Sequence, residues 1–486
     1  MNKIIGRKKE QEVLQKILDS KEPAFLAVYG RRRIGKTYLV KNFFKDKGFF
    51  FHLTGIQDAS AEVQLQNFAD EFSDLFLKGK ESLRPKNWFF AFRMLQKEIE
   101  KVPKHTKIIL FFDELPWLST PRSKFLQALE HLWNRHLSET PNLILIVCGS
   151  AASWMIDNVI HHKGGLHGRV TKELRLLPFT LRETEEFLAE KNILLDRKQL
   201  LELYMCIGGV AKYLSYIERG KSVPQIIGEL CFSYSAPLIS EFHKLYRSLF
   251  QHHEEHVKIV TTLATSRSGF SYRELAKKLN ISPGGTFSKR LEELKQSGFI
   301  AELPIFGESV SNFHFLLVDE YSLFYLSWNA GVPALDLQSS EPDYWLKQRN
   351  TQAWKTWTGH AYECLCLKHV EGIKAALGLS AVQTKTSKWR YRPSKKSKEK
   401  GAEIDLAIDR ADHCINLCEV KFYEEELSLD KEDSKKLQAK KTCFESVTGT
   451  RKSTFTTLIT THGVKHNENF LSAVDQELNM NALFNC

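Results

Sequence analysis

The chain has 486 residues, of which 42% are hydrophobic and 26% are charged, a composition typical of a globular protein with a large core. A chain of this length is expected to fold into about three domains. No apolar run approaches the ~18 residues that a membrane helix needs, and the charged segment Met1–Glu10 does not resemble a signal peptide. The sequence therefore predicts a cytoplasmic protein without membrane contact.

The net charge of +11 weakly favours a polyanionic partner such as DNA. Eight lysines and arginines are concentrated between Lys385 and Lys400, interleaved with Trp389 and Tyr391. Taken alone, this segment is either a solvated loop or an arm that grips phosphates. The nine cysteines lack the paired spacing of a structural zinc site and are interpreted as thiols.

A phosphate-binding loop is predicted near the amino terminus. The apolar run Pro23–Tyr29 is typical of a buried parallel strand, and the next eight residues match G-x-x-x-x-G-K-[ST]. Gly30 and Gly35 let backbone N–H groups curl around phosphates at the start of a helix. Lys36 would reach the β and γ phosphates of ATP, and Thr37 would bind Mg²⁺.

Two further apolar runs end in polar residues that such a loop needs. Lys107–Phe112 leads into Asp113 and Glu114. We expect Asp113 to help hold Mg²⁺ and Glu114 to act as the general base for ATP hydrolysis. Leu143–Cys148 leads to Ser150, which would sense the γ-phosphate, although a plain turn at a strand end explains it equally well.

This pattern resembles the archaeal-type ATPase family, a branch of P-loop ATPases close to the AAA+ and signal-transducing (STAND) groups. The residues that carry the resemblance span about the first 250 positions: Ile5-Gly6-Arg7, Glu10, Arg31–Arg33, Phe112-Asp113-Glu114, Gly149-Ser150, Gly168-Arg169, Leu177-Pro178-Phe179 and Gly208-Gly209. The resemblance implies that Arg169 contacts the γ-phosphate, unless it is an ordinary surface arginine. It also implies that a Gly-Gly turn on a helical lid packs near the base, although Ala211 replaces the usual proline.

The middle of the chain has helical periodicity and resembles a winged helix-turn-helix. Helices are predicted over Val257–Ala264, Ser271–Leu279 and Pro283–Ser297, with a β-wing over Ala301–Val318. The resemblance implies that the third helix enters the major groove of DNA. Four of its side chains would face the DNA: Thr286, Ser288, Lys289 and Arg290. A packing or lever role for this module is the alternative.

The last third of the chain predicts a cluster of acids and a lysine. Ala402–Ile408 and Ile415–Phe422 are interpreted as adjacent strands. Because side chains alternate along a strand, Asp405 on the first strand, with Glu419 and Lys421 on the second, would face one spot. Carboxylates there would hold one or two Mg²⁺ or Mn²⁺ ions for phosphodiester hydrolysis, and the lysine would position water or neutralise charge.

This spacing resembles the PD-(D/E)XK nuclease superfamily over about residues 346–465, in the version fused to archaeal-type ATPases. Glu363 matches that family's helical glutamate, and Trp389-Arg390 fits its approach to the metal strand. Ile404 stands where the superfamily has proline. The resemblance implies that Glu363, Asp405 and Glu419 bind metal and that Asp405, Glu419 and Lys421 are catalytic. An inactive fold kept for binding DNA or protein is the alternative.

The predicted fold is an α/β multidomain protein. It has a P-loop NTPase core with a parallel sheet over residues 1–175, a helical lid over 176–250, a winged helix over 251–318, a linker over 319–345, and a restriction-endonuclease-like domain over 346–486. We expect an ATP-hydrolysing protein that binds and cleaves DNA. An ATP-gated signalling switch that does not cut is the alternative, a DNA translocase ranks last, and a homo-oligomer stays open.

Overall fold

The computed structural model describes residues 3–80, 84–161, 168–233, 235–308, 312–332, 344–393 and 401–485. The chain forms two compact units, Met1–Pro178 and Phe179–Cys486. Within the described ranges, no helix combines the length and apolar character that crossing a membrane requires.

A five-stranded parallel sheet organises the first unit. Its strands are β1 (Ala24–Tyr29), β2 (Phe49–Thr54), β3 (Ile108–Asp113), β4 (Leu143–Gly149) and β5 (Lys172–Arg175). They lie in the order β2-β3-β4-β1-β5. Every residue of β1, β3 and β4 is buried, as expected for the central strands of a parallel sheet covered on both faces. The predicted α/β fold with a parallel sheet is confirmed for this unit.

Helices cover both faces of this sheet. They are α1 (Lys8–Asp19), α2 (Lys36–Phe44), α3 (Ala61–Phe76), α4 (Trp88–Ile99), α5 (Leu115–Leu118), α6 (Phe125–Arg135) and α7 (Ala152–Met155), with a 3₁₀ turn at Leu137–Glu139 and a π turn at Ile156–Ile160. Leu110 and Phe112 of β3 pack in one apolar cluster, whereas Ile109 and Phe111 pack in the other. This alternation places α3, α4 and α6 on one face and α1 and α2 on the opposite face.

The second unit begins with helices and a small antiparallel sheet. The helices are α8 (Leu181–Glu190), α9 (Arg197–Ile207), α10 (Ala211–Ser215), α11 (Val223–Ile227), α12 (Glu241–Leu249), α13 (His253–Ala264), α14 (Tyr272–Leu279) and α15 (Gly285–Gln296), with a π turn at Gly228–Phe232. The strands β6 (Phe270–Ser271), β7 (Ile300–Pro304) and β8 (Phe313–Leu317) are arranged as β6-β8-β7. Ser271 and Glu274 form a capping box at the start of α14.

A mixed five-stranded sheet forms the rest of the second unit. The remaining helices are α16 (Glu320–Phe324), α17 (Tyr344–Arg349), α18 (Gln352–Lys368), α19 (Val370–Ala376), α20 (Lys431–Thr448) and α21 (Glu468–Ala473), with irregular turns at Tyr325–Asn329 and Met480–Phe484. The strands are β9 (Thr384–Tyr391), β10 (Ala402–Arg410), β11 (Cys414–Lys421), β12 (Ser453–Thr460) and β13 (Gln476–Leu478). In the order β13-β12-β11-β10-β9, the first three strands are parallel and the last three are antiparallel.

One apolar core extends through the second unit from Phe179 to Phe484. Side chains of α9, α13, α18 and β11 all contribute to this core. The segment expected as a linker takes part in it, because Tyr321 and Phe324 of α16 and Trp345 of α17 are buried there. The helices, the small sheet and the mixed sheet of this unit are therefore packed together.

Candidate functional site

The loop between β1 and α2 has backbone angles that require its glycines. Gly30 has φ 147°, and a Cβ at this position would lie 2.2 Å from the carbonyl oxygen of Leu176. Gly35, with φ 95°, begins α2 in the left-handed region. A side chain at either position would therefore strain the loop, so the two glycines of the predicted motif have a structural reason.

Lys36 is buried at the centre of this loop. Its Nζ donates to the carbonyl oxygens of Gly30 and Arg31, each at 2.9 Å, and to the Oγ of Ser150 at 3.0 Å. All three acceptors are uncharged, so the ammonium keeps its positive charge available for an anion. The lysine is held where β1 and β4 both end, at the carboxyl edge of the sheet.

Ser150 joins this lysine to Glu114. Its Oγ donates to Glu114 Oε1 at 2.5 Å, and its backbone N donates to Glu114 Oε2 at 3.2 Å. Glu114 has φ 47°, a left-handed conformation that is uncommon for a residue with a side chain. Lys36, Ser150 and Glu114 thus form a continuous hydrogen-bonded chain, which we call the Lys-Ser-Glu chain.

Asp113 and Thr37 form the second half of the site. Thr37 Oγ1 donates to Asp113 Oδ2 at 2.7 Å, and the backbone N of Glu114 donates to Asp113 Oδ1 at 3.0 Å. Burial alone would raise the pKa of Asp113, but the nearby imidazole of His52, with hydrogen bonding from Thr37 and Cys148, holds it below its ordinary value. The carboxylate is therefore ionised at neutral pH.

This pair of oxygen donors suits magnesium. Mg²⁺ commonly takes one or two protein ligands and completes its shell with water and substrate phosphates. The carboxylate of Asp113 and the hydroxyl of Thr37 lie within hydrogen-bond distance of each other, so both can face one small cation. In the described part of the chain, no group of three or more His, Cys, Asp and Glu residues is arranged to hold a metal.

Two residues of this site were assigned no role by sequence reasoning. Arg7 has φ 55°, is 4% exposed, and donates from Nη2 to the carbonyl oxygen of Ile34 at 3.3 Å. His52 on β2 places its Nε2 4.0 Å from Asp113 Oδ2 and stacks on Phe111. The alternation of polar residues at the end of β2 is the signal that could have indicated His52.

Three residues have roles that only the family resemblance implies: Arg169, Gly208 and Gly209. Arg169 is exposed in the turn before β5, and its role at the γ-phosphate stays a prediction. Gly208 has φ 64°, and its Cβ would lie 2.9 Å from Glu320 Oε2. A Cβ on Gly209 would lie 1.9 Å from the carbonyl oxygen of Phe179. Close packing inside the second unit therefore explains the Gly-Gly turn.

The acids predicted on the mixed sheet lie side by side. Leu406 pairs with Cys418, and the same antiparallel register continued by one residue sets Asp405 opposite Glu419. Asp405 Oδ2 accepts a hydrogen bond from the backbone N of Val420 at 2.9 Å. Lys421 Nζ lies 3.8 Å from Glu419 Oε2. The structure therefore brings Asp405, Glu419 and Lys421 together.

Glu363 on α18 belongs to the same electrostatic group. Burial, followed by the negative charge of Asp405, raises the pKa of Glu363 to about 7. The same two causes, in the same order, raise the pKa of Glu419 to about 7. Such mutual shifts are characteristic of carboxylates that share one site. Glu363, Asp405 and Glu419 thus form one interacting group, which we call the acidic cluster.

Lys440 on α20 is the residue of this cluster that sequence reasoning missed. Its Nζ donates to both carboxylate oxygens of Glu419, at 2.7 and 2.6 Å. Lys436 and Lys440 line a cavity of about 220 Å³ together with Glu419 and Lys421. The carboxylates are the hard oxygen ligands that Mg²⁺ or Mn²⁺ takes. However, both carboxylate oxygens of Glu419 accept hydrogen bonds from Lys440. Among the described residues, those of this cluster included, no group of three or more His, Cys, Asp and Glu residues is arranged to hold a metal.

The predicted DNA-facing residues have mixed surroundings. Lys388 and Trp389 are buried in β9, whereas Arg390 is exposed and pairs with Glu403. The rest of the predicted basic arm, residues 394–400, lies outside the described residues. On α15, Thr286 and Lys289 are exposed, Ser288 Oγ lies 3.0 Å from the Tyr272 hydroxyl, and Arg290 pairs with Glu255.

Comparison with known proteins supports the predicted family resemblance of the first part of the chain. Residues 5–217 match the family described as an ATPase domain predominantly from Archaea. An uncharacterised protein of Methanocaldococcus jannaschii is 27% identical over 214 residues, an alignment that covers 44% of each chain. The chain therefore spans less than half of that relative. The predicted resemblance to an archaeal-type ATPase is confirmed for this domain, and the family match ends before α13.

Similar solved structures include two archaeal proteins. The Walker-type ATPase of Pyrococcus abyssi is 20% identical and has a TM-score of 0.44, with 66% of this chain and 96% of that chain covered. The ORC2 protein of Aeropyrum pernix, solved as ADPNP and ADP complexes, is 16% identical with a TM-score of 0.44, covering 72% and 96%. Likenesses at this level do not establish a common arrangement of whole chains. Residues 5–217 thus match an archaeal-type ATPase domain, and the loop between β1 and α2 lies within them.

Proposed function

We propose that the first unit binds ATP with Mg²⁺ and hydrolyses it. The observation that carries this proposal is the Lys-Ser-Glu chain, which lies beside the Thr37–Asp113 pair at one edge of a parallel sheet. Together these groups supply a cation for phosphates, oxygen donors for a metal, and a carboxylate that can accept a proton. The match of residues 5–217 to an ATPase domain supports the same conclusion.

Each residue has a separate task in this proposal. The N–H groups of the loop and the amino end of α2 bind the phosphates, and Lys36 neutralises their charge. Thr37 and Asp113 hold Mg²⁺, which supplies charge neutralisation when bound. Glu114 accepts a proton from the attacking water as general base. Its present hydrogen bonds to Ser150 must be exchanged for one to that water, so Ser150 releases the base when substrate binds.

The test is release of phosphate from ATP by the full chain. Lys36→Ala removes the charge that faces the phosphates, so we expect nucleotide affinity and hydrolysis both to fall by about 100-fold. Lys41→Ala is the matched control, because Lys41 is exposed on the same helix. Hydrolysis that persists in Lys36→Ala at the rate of the control would overturn this assignment.

We propose further that the second unit binds DNA and cleaves it with a divalent metal at the acidic cluster. The proximity of Asp405, Glu419 and Lys421 supports this, because two carboxylates and a lysine suit hydrolysis of a phosphodiester. Glu363 adds a third carboxylate from α18. Arg169 and the α15 side chains keep the roles that the resemblance implies, as contacts to the γ-phosphate and to DNA.

Cleavage of a labelled duplex in Mg²⁺ or Mn²⁺ tests the nuclease. Asp405→Ala should abolish cutting and leave DNA binding within about two-fold, because it removes a metal ligand and no cation. Asp412→Ala serves as the control, since Asp412 is exposed in the hairpin between β10 and β11. If the wild-type chain cuts no nucleic acid with either metal, the nuclease proposal fails.

A second candidate function is an ATP-gated switch whose acidic cluster does not cut. The observation that favours it is the pairing of Lys440 with both oxygens of Glu419. A lysine in that position neutralises the carboxylate that a catalytic metal would need. This candidate predicts DNA binding that changes between ATP and ADP, no cleavage, and no effect of Asp405→Ala on that change.

A further inference from the structure

The small antiparallel sheet of the second unit is joined directly to the mixed sheet. Ile305, just after β7, forms a parallel bridge with Lys388 of β9. The backbone N of Phe306 donates to the carbonyl oxygen of Lys388 at 2.8 Å, and the Phe306 ring packs 4.9 Å from Phe444 on α20. The segment that was predicted as a wing is therefore held against an edge strand of the neighbouring sheet.

The turn before β6 is fixed to the same edge strand. Lys388 Nζ donates to the carbonyl oxygen of Arg267 at 3.3 Å, and Arg390 Nη1 donates to Ser268 Oγ at 2.7 Å. Arg267 in turn donates to the carbonyl oxygen of Thr356 on α18 at 3.1 Å. These contacts hold α14 and β9 in a defined relation, so the space between them is a built cleft.

This cleft has a volume of about 690 Å³, and four of the residues that line it are lysines or arginines. Lys277 and Lys278 project from α14, and Arg390 and Arg392 from β9 and the residues after it. Two carboxylates, those of Glu274 and Glu308, also line the cleft. One of them, Glu274, accepts hydrogen bonds from the backbone N and Oγ of Ser271 in the capping box, each at 2.9 Å. We call this space the α14–β9 cleft.

Three of the four cations of the cleft differ from Arg290 on α15, whereas the fourth, Arg390, is paired with Glu403. Lys277, Lys278 and Arg392 are exposed and enter no ion pair with the described residues. Lys278 Nζ lies over the ring of Phe270, 4.9 Å from its centroid. On α15, by contrast, Arg290 is paired with Glu255. The charge that is available to an external anion is therefore greater in the cleft than at Arg290.

We propose that the α14–β9 cleft binds the phosphate backbone of duplex DNA. This inference rests on the proposed DNA binding and gives it a location shared by two elements of the second unit. Long, exposed lysine and arginine side chains on two walls can contact successive phosphates, which gives affinity without reading sequence. Because Ile305 and Phe306 are held against β9, the cleft beside them presents its lysines and arginines to the duplex.

The experiment measures fluorescence anisotropy of a labelled 30-base-pair duplex with the full chain, without divalent metal so that nothing is cut. Lys277→Glu/Arg392→Glu reverses one charge on each wall, and we expect affinity to fall at least ten-fold. The slope of log affinity against log salt should fall by about 2, because each phosphate contact contributes roughly 0.9. The melting temperature is expected to stay within about 2 °C of wild type, since both side chains are exposed.

Lys258→Glu/Lys355→Glu is the matched control, because it makes the same change in net charge at exposed sites on α13 and α18. We expect the control to lose less than three-fold. Equal losses in the two variants, or an unchanged salt slope, would overturn the inference while leaving DNA binding by the chain intact. Wild-type protein that binds no duplex would instead overturn the DNA half of the proposed function, and the cleft proposal with it.

Discussion

The sites at the two sheets differ in whether a buried lysine forms an ion pair with a carboxylate. At the edge of the first sheet, Lys36 donates hydrogen bonds to two carbonyl oxygens and a hydroxyl. Its ammonium therefore does not form an ion pair with the carboxylate of Asp113. At the second sheet, Lys440 bonds directly to both oxygens of Glu419. A ligand can join the first arrangement without breaking an ion pair, whereas at Glu419 it must displace one.

The electrostatics of the two sites follow the same division. Hydrogen-bond donors hold the pKa of Asp113 below its ordinary value in spite of burial. Burial and a neighbouring carboxylate raise the pKa of Glu419 to about 7. The first site is therefore charged and ready for a cation at neutral pH. At the second site burial and the charge of Asp405 outweigh the lysines beside Glu419, which favours the protonated carboxyl at neutral pH more than at the first site.

The largest effect that tests this comparison is expected from Glu114→Gln. The amide keeps the shape of the side chain but cannot accept the proton of water, so kcat for ATP hydrolysis should fall by about 100-fold to 1,000-fold. Affinity for ATP should stay within about three-fold, because Lys36 is untouched. Phosphate release and binding of a fluorescent ATP analogue measure the two quantities. Glu12→Gln, exposed on α1, is the control.

An unchanged kcat for ATP hydrolysis in Glu114→Gln would show that Glu114 is not the general base. An equal loss of binding and rate would mean that the side chain supports the loop instead of the reaction.

A smaller effect is expected at the acidic cluster from Lys440→Met. The substitution keeps much of the apolar length of the side chain and removes the ammonium that engages Glu419. We expect affinity for Mn²⁺ in the absence of DNA to rise by about ten-fold, as measured by isothermal titration calorimetry. Lys436→Met, on the same helix and lining the same cavity, should change it by less than three-fold.

Weaker or unchanged Mn²⁺ binding in Lys440→Met would show that Lys440 does not compete with a metal. The pairing would then be a structural ion pair, and the non-cutting switch would lose the observation that favours it. This outcome is independent of cleavage, because the titration reports only on the metal.

The smallest effect is expected from Ser150→Ala, which cuts the link between Lys36 and Glu114. Hydrogen bonds to charged groups contribute about 1.5–3 kcal/mol each, but water can replace a lost hydroxyl at an open site. We therefore expect a fall in kcat of about three-fold to ten-fold. Ser150→Thr retains the hydroxyl and should restore most of the rate. Failure of threonine to restore it would indicate a packing role.

Much of the first site could be predicted from sequence because its signals are local. The continuous apolar runs of β1, β3 and β4 predict buried parallel strands, and the loop residues follow them directly along the chain. The positions of His52 and Arg7 in the site were not predicted, because they depend on contacts with residues of other elements. No local pattern distinguishes a histidine that approaches Asp113 from one that is merely half buried.

The second site shows the limit more clearly. Asp405 and Glu419 were placed together because strand alternation and an antiparallel hairpin are readable from sequence. Lys440 was not assigned to the site, because it lies on a lysine-rich helix whose sequence is typical of a solvent-exposed helix. Only the packing of α20 against β10 and β12 brings one of those lysines to Glu419. The contacts of Trp389 and Arg390 likewise follow from the pairing of β9 with β10, which the sequence did not predict.

The shared core of the second unit has a practical consequence for dividing the chain. Trp345 packs 5.2 Å from Trp354, and Phe324 packs 5.5 Å from Trp357, measured between ring centroids. A fragment beginning at residue 346 would leave Trp345 and Phe324 behind and open those tryptophans to water. We expect such a piece to aggregate, whereas one beginning at Phe179 should keep its interior closed. The carboxyl-terminal sheet should therefore be expressed or deleted together with the helices before it.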